Sequence, residues 1–246
     1  MNCSFDPDLT LDEFTLRLLE SLGSARFPLS GSMELTDRCN LNCVHCYINQ
    51  PAADPVASTK ELDTHAWMSV MDQMAEAGTL FLLMTGGEPL LRQDFPEIFT
   101  HACRRGMLVT LFSNATMLTP DLADLLAEWG VHSLEVSLYG ATRETYEKVT
   151  HQPGSYDRCL RGIELALSRG IKTNLKTVLL TTNRHELEAM QTLTEKFGME
   201  FRFDSTLWPR LDGSTANMQY QISNQEMLQI DLEDPKRREA WEKTAH

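Results

Sequence analysis

The chain lacks any apolar run long enough to cross a bilayer. Its longest runs, such as LFLLM at 80–84, are strand-sized, whereas a helical span needs about 20 residues. The N-terminus is acidic and has no h-region, so no secretory signal is expected. A basic excess is also missing: 22 Lys and Arg against 35 Asp and Glu leave a formal charge of −13. A phosphate-binding surface pulls composition the other way, which disfavours DNA or RNA as a partner. The basic run at 236–238 reads as a solvated helix face. No disulfide framework is visible either. Cys3, Cys103 and Cys159 are scattered singly, and no cysteine follows Cys159. Reduced thiols point to the cytoplasm. What remains is an ordinary globular composition, 42% hydrophobic and 23% charged over 246 residues, enough for one large core.

Against that background one stretch stands out: ELTDRCNLNCVHCY at 34–47, with Cys39, Cys43 and Cys46 in a C-x3-C-x2-C array. Three thiolates this close can share one metal centre, yet they are one short of a closed site. Structural zinc takes four ligands, and a cubane cluster held by protein alone takes four cysteines. Three cysteines on four irons leave one iron open to bind a small molecule. Zinc completed by His45 or by a more distant residue is the alternative. His45 lies between Cys43 and Cys46, a poor place from which to close the same tetrahedron.

The run SMELT before the array alternates like a strand. Asp37, Asn40 and Asn42 then break regular structure. The ligands therefore sit past the C-terminal end of a strand, where α/β folds place their sites. Beyond a Pro/Ala/Asp linker at 51–58, strand and helix alternate. Asp63 or Thr64 caps a helix that buries Trp67, Val70, Met71 and Met74. TLFLLMTGG follows, a near-continuous apolar run of the kind covered on both faces of a parallel sheet. The next helix ends at Gly106 and leads to the strand MLVTLFSN. Thr119 and Pro120 open a helix through Leu122, Leu125, Leu126 and Trp129, before HSLEVSLYG. Ser155 opens another, before KTNLKTVLL. Asn183 and Glu186 read as a capping box for a helix ending at Gly198, before EFRFDST. Six strands alternating with helices mean a parallel sheet with right-handed crossovers, open or rolled. A helix through Leu11, Phe14, Leu18 and Leu22, stopped by Gly23, forms a prelude over 1–30. The core spans 31–213 and a helical tail 214–246, with Pro235 starting its charged last helix.

Residues at the strand ends are the candidate binding groups. Gly86 and Gly87 let backbone approach a ligand, and with Glu88 they suit an ammonium, or simply make a tight turn. Ser113 and Asn114 end the third strand and Ser137 the fourth, as hydrogen-bonding groups or plain strand caps. Lys176, a charge inside an apolar strand, wants a partner or points outward. Tyr139, Asp204 and Arg210 also lie near strand ends, with no role assigned.

The cysteine array after the first strand, together with TGGEPLL at 85–91 after the second, resembles the radical S-adenosylmethionine (SAM) superfamily over about residues 32–213. That resemblance implies a partial (β/α)6 TIM-like barrel, open on one side. It implies a [4Fe–4S] cluster on Cys39, Cys43 and Cys46, whose open iron chelates the amino and carboxylate groups of SAM. One electron, from a donor such as flavodoxin or ferredoxin, cleaves SAM to a 5′-deoxyadenosyl radical that abstracts hydrogen from a substrate. By the same resemblance Gly86, Gly87 and Glu88 bind the SAM amino group, and His45 fills the position of the ring that packs on adenine. Ser113, Asn114, Ser137 and Lys176 reach its ribose or carboxylate. One departure stands out: where many relatives carry an Arg for the SAM carboxylate, this chain has Thr150, with Lys148 nearby.

The stretches VSLYGATRETYEKVTHQPGS and FRFDSTLWPRLDGS further resemble members that carry a cysteine-rich SPASM extension, and many of those modify peptides. This chain stops about where that extension would begin, as a truncation or a minimal barrel. The resemblance thus implies a peptide or protein side chain as substrate, or else a tetrapyrrole or small metabolite. A non-catalytic metal-binding barrel is the rival reading.

Overall fold

The computed structural model describes residues 10–22, 26–48 and 50–244; Cys3 and the expected helix stop Gly23 lie outside them. Six parallel strands form one sheet in chain order: Ser30–Glu34, Phe81–Thr85, Leu108–Ser113, Ser133–Ser137, Thr173–Val178 and Phe201–Asp204. Each pairs with the next, and the first and sixth do not pair with each other. The α/β fold is therefore the partial, unclosed barrel. Among the described residues no helix is long and apolar enough to cross a membrane.

Strand residues at alternate positions divide the molecule into two faces. Met33, Leu82, Met84, Val109, Leu111, Leu134, Val136 and Leu175 are buried in a core with helix residues such as Met71, Phe95, Phe99, Leu126 and Ile163. Those come from the helices Thr64–Glu76, Phe95–Arg104, Pro120–Glu128 and Ser155–Ser168. The other strand face is only half buried, as the alternating burial of the second, third and fifth strands shows. This corrects the expectation that the second strand is covered on both faces. Helices pack on one side only, and the inner side of an unclosed sheet looks onto a cavity.

Several local expectations hold. Asp63 caps Thr64–Glu76 by accepting from the Ala66 N–H at 2.8 Å. Thr119 caps Pro120–Glu128, and Pro235 opens Pro235–Thr244. The N-terminal helix forms at Leu11–Leu22, but Phe14, expected on its buried face, is exposed.

Other expectations fail for identifiable reasons. The supposed linker contains the helix Pro55–Lys60, whose first turn is capped by Asp54. An unanticipated helix, Arg143–Thr150, buries Tyr146, Val149 and Thr150. It also explains the failed capping box. Glu186 accepts from the Ala141 and Thr142 N–H groups and from the Thr142 and Thr145 hydroxyls, so it caps this neighbouring helix rather than its own. Burial alone would raise its carboxyl; the four donors outweigh that and hold it below the usual value. Asn183 instead accepts from Leu180 N–H and donates to the Tyr139 and Val178 carbonyls.

After the sixth strand the chain folds back before the tail begins. Leu207 packs with Val44, Val149 and Leu180, and Leu211 N–H donates to the Tyr47 carbonyl. The tail is the helix pair Asn224–Glu233 and Pro235–Thr244, the first with a Ser223–Glu226 capping box. Arg237 from the second helix binds Asp231, donates to the Phe203 carbonyl and stacks on the Phe203 ring, which secures the pair against the sixth strand.

Candidate active site

Cys39, Cys43 and Cys46 follow the first strand in an irregular loop tied down from three sides. At its entry, Arg38–Cys39 pairs with Gln50–Pro51 in a short ribbon. Glu61 receives Arg38 through two hydrogen bonds, of 2.6 and 2.9 Å, and takes further bonds from Thr36 and Arg92. Arg92 also donates to the Leu35 and Leu62 carbonyls. In the middle, Asn42 and Val44 N–H groups donate to the Thr150 and Val149 carbonyls. At the exit, Asn217 donates to the His45 and Trp208 carbonyls. Loop backbone that cannot form a ladder is thus satisfied by neighbours, as burial demands.

The end of the second strand is pressed against this loop. A Cβ on Gly86 would overlap the Thr36 carbonyl oxygen, and one on Gly87 the Arg38 carbonyl oxygen; Gly86 also has φ 136°. Both positions therefore demand glycine. Glu88 turns beneath the site, fully buried, and accepts from Leu90 N–H, Ser113 Oγ and Asn114 N–H at 2.8–3.1 Å. Burial raises its carboxyl, and those three donors pull the other way without cancelling the rise. Asn114 continues the network, donating to Asn40 at 3.0 Å and lying 3.8 Å from Cys39 Sγ.

A cavity of about 720 Å³ opens above these residues. All three cysteines, His45, Gly86, Gly87, Ser113, Asn114, Ser137 and Lys176 line it; Glu88 does not. One pocket therefore gathers every residue expected at the site except that carboxylate. Tyr139 and Asp204 line it too, whereas Arg210, Thr150 and Lys148 do not. Thr150 instead bonds Ser155 and anchors Asn42. His45 is buried edge-on to Tyr139, with ring centroids 4.7 Å apart, and its Nδ1 has no partner within the protein. Burial lowers it to about 4, so the ring is neutral. Lys176 lies over the Phe112 ring. Burial, reinforced by the like charge of Arg202, lowers its ammonium to about 6.

The donor set fits an iron–sulfur cluster. Three thiols from one loop face a single cavity, and Leu41 N–H and Asn114 Nδ2 point at Cys39 Sγ, the kind of contact that tunes cluster sulfurs. Burial, then the charge of Glu88, pushes the Cys39 thiol up to about 12, so a metal must displace its proton. Among the described residues no three His, Cys, Asp or Glu side chains converge as they would on a single ion. A four-iron cage does not require such convergence.

Arg202, Tyr47, Trp208 and Asn217 complete the site without having been singled out from sequence. Arg202 had a signal: the alternation in EFRFDST puts it on one face with Asp204. Asn217, 172 residues from His45, had none.

Comparison with known proteins agrees with this geometry. The model of the Radical SAM superfamily matches residues 33–193. The chain belongs to that superfamily, a family of enzymes that use a [4Fe–4S] cluster and SAM. It is 35% identical over 165 residues to an AdoMet-dependent heme synthase of Methanosarcina barkeri, covering 67% of this chain and 46% of that protein. It is 29% identical over 176 residues to the mycofactocin maturase MftC of Mycobacterium tuberculosis, covering 71% and 44%. The crystal structure of Streptococcus suis SuiB bound to S-adenosylmethionine superposes with a TM-score of 0.63 at 17% identity, over 76% of this chain and 43% of that one. The chain spans less than half the length of these relatives.

Proposed function

We propose that this chain catalyses reductive cleavage of SAM and hydrogen abstraction from a peptide or protein side chain held in the open mouth of the barrel. The observation that carries this reading is the gathering of Cys39, Cys43, Cys46, Gly86 and Gly87 around one cavity in an unclosed parallel sheet. The peptide assignment draws on the likeness to a PqqA peptide cyclase of Granulibacter bethesdensis, 27% identical over 174 residues.

Cluster and SAM, when bound, supply one-electron cleavage and hydrogen-atom abstraction; the chain's own residues position and shield. Cys39, Cys43 and Cys46 hold the irons. Gly86 and Gly87 bring backbone to the amino group of SAM, His45 offers its neutral ring to the adenine, and Ser137 faces the ribose. Glu88, Ser113 and Asn114 act underneath, because their hydrogen bonds are spent on fixing the second and third strand ends against the cysteine loop. A small reducing protein such as flavodoxin or ferredoxin supplies the electron.

A second reading, a carboxylate-bearing tetrapyrrole as substrate, is favoured by the cationic wall at Lys176 and Arg202 and by the 35% identity to a heme synthase.

Anaerobic reconstitution tests the enzyme reading. A catalytic chain turns brown, takes up about four irons per monomer and releases 5′-deoxyadenosine when SAM and dithionite are added. Zinc in place of iron, or a cluster that never yields that product, refutes it in favour of a binding barrel.

A further inference from the structure

The cavity wall built by the fifth and sixth strands carries two basic side chains, Lys176 and Arg202. Lys176 and Arg202 are register partners there, so their side chains leave the sheet together, into the cavity. Both cations lie over the Phe112 ring. The adjacent acid, Glu135, already accepts from Ser133 at 2.7 Å and Asn174 at 3.0 Å and forms an ion pair with Arg202 at 3.0 Å. Asp204, facing the same cavity, accepts from the Ser205 and Thr206 N–H groups through Oδ1 and makes no ion pair with Lys176. Glu34 is taken by the Tyr47 hydroxyl. Among the described residues no carboxylate stands within ion-pair distance of Lys176. Glu135 is held by Arg202, so Lys176 is left without an ion-pair partner among the described residues, and its buried ammonium gives up its proton readily until an anion arrives.

We propose that Lys176 and Arg202 form a subsite for a carboxylate group of the substrate. An arriving carboxylate favours the protonated lysine, and an ammonium beside a guanidinium edge offers the charge-assisted donors a carboxylate accepts. The proposal rests on the enzyme reading for the identity of its ligand as substrate. SAM's own carboxylate belongs at the open iron, beside the cysteines. Lys176 leaves the fifth strand beside Arg202 of the sixth, whereas the cysteine loop follows the first strand at the other end of the sheet order. The substrate's carboxylate has two sources, an acidic peptide side chain or a tetrapyrrole's acid arm, and the test separates them.

The experiment uses the reconstituted holoprotein under anaerobic conditions with four probes: coproporphyrin III, its tetramethyl ester, a dye-labelled oligoglutamate peptide and its oligoglutamine counterpart. One acid probe binds at least about tenfold tighter than its neutral counterpart, and which one identifies the source. Lys176→Met and Arg202→Gln each weaken that probe about tenfold, as loss of a charge-assisted bond does, while Lys176→Arg retains it. SAM affinity stays within about twofold in all variants, and iron content and absorbance match the parent, which reports intact folding. Loss of SAM affinity in Lys176→Met overturns the proposal by assigning the anion to the cofactor. Equal binding of acid and neutral probes, or no binding of either acid probe up to about 1 mM, where binding energy is about 4 kcal/mol, overturns it as well. Release of 5′-deoxyadenosine, scored separately, reports on the enzyme reading, so the two can fail independently.

Discussion

Two walls of one cavity follow opposite plans. Beneath the first three strands, the polar groups around the cysteine loop are answered by protein. Glu88 has three donors, Glu61 takes two arginines, and glycine backbone is packed directly on loop carbonyls. Along the fifth and sixth strands, a lysine and an arginine face the cavity with one shared, occupied acid. The first plan suits a ligand that never varies, because a satisfied network fixes geometry in advance. The second suits a ligand that comes and goes, because it leaves a lysine with no ion-pair partner to be charged and matched at each visit.

Substitutions sharpen or break this contrast. The largest effect belongs to the cysteines: replacing Cys39, Cys43 or Cys46 by Ala is expected to take iron from about four per monomer to near zero and to abolish 5′-deoxyadenosine release, measured by iron assay and chromatography. Next comes Glu61→Ala, which leaves Arg38 and Arg92 without their shared carboxylate. It is expected to cost about 3 kcal/mol in denaturant unfolding and to lower cluster yield. A stability change under 0.5 kcal/mol would show that the network is ornamental and the first wall less fixed than argued.

Gly87→Ala, which drives a methyl into the Arg38 carbonyl oxygen, is expected to cost about 2 kcal/mol and to shift the cluster's paramagnetic resonance on SAM addition. One effect has the opposite sign. Lys176 is depressed from 10.5 to about 6, so the unfolded chain binds its proton more readily between those values. Stability from this residue therefore rises with pH across that window. Lys176→Met should raise the melting midpoint at pH 7, and the gain should vanish above about pH 10.5, where the lysine is neutral in both states. A variant less stable than the parent at pH 7 would mean that Lys176 already has a partner, erasing the contrast between the walls.

Much of this was legible in the sequence because it rests on local signals. The six strands, the Asp63 and Thr119 caps, the cysteine array and the glycine pair each declare themselves within a few residues. What stayed hidden depends on distant partners. Asn183 and Glu186 have capping-box spacing, but Glu186 is drawn to the free N–H groups of Arg143–Thr150, more than forty residues back in the chain. Asn217 reads as one polar residue in a turn-rich stretch until the fold places it against His45 and Trp208. Glu88 accepts from Leu90, Ser113 and Asn114 and does not line the cavity: composition does not tell a carboxylate that faces a ligand from one that braces the floor beneath it. Apolar strand runs were likewise read as sandwiched, since a one-sided core and a cavity look alike in a string of Leu and Met.

The way the sixth strand ends has a consequence for life in a crowded cell. A sheet left unclosed has two raw borders, each a template for docking another chain's backbone. Arg237 occupies a carbonyl on one border and lays its guanidinium over the ring beside it. One acceptor of that border is thereby closed to a neighbouring backbone while the opposite face of the sheet stays open to the cavity.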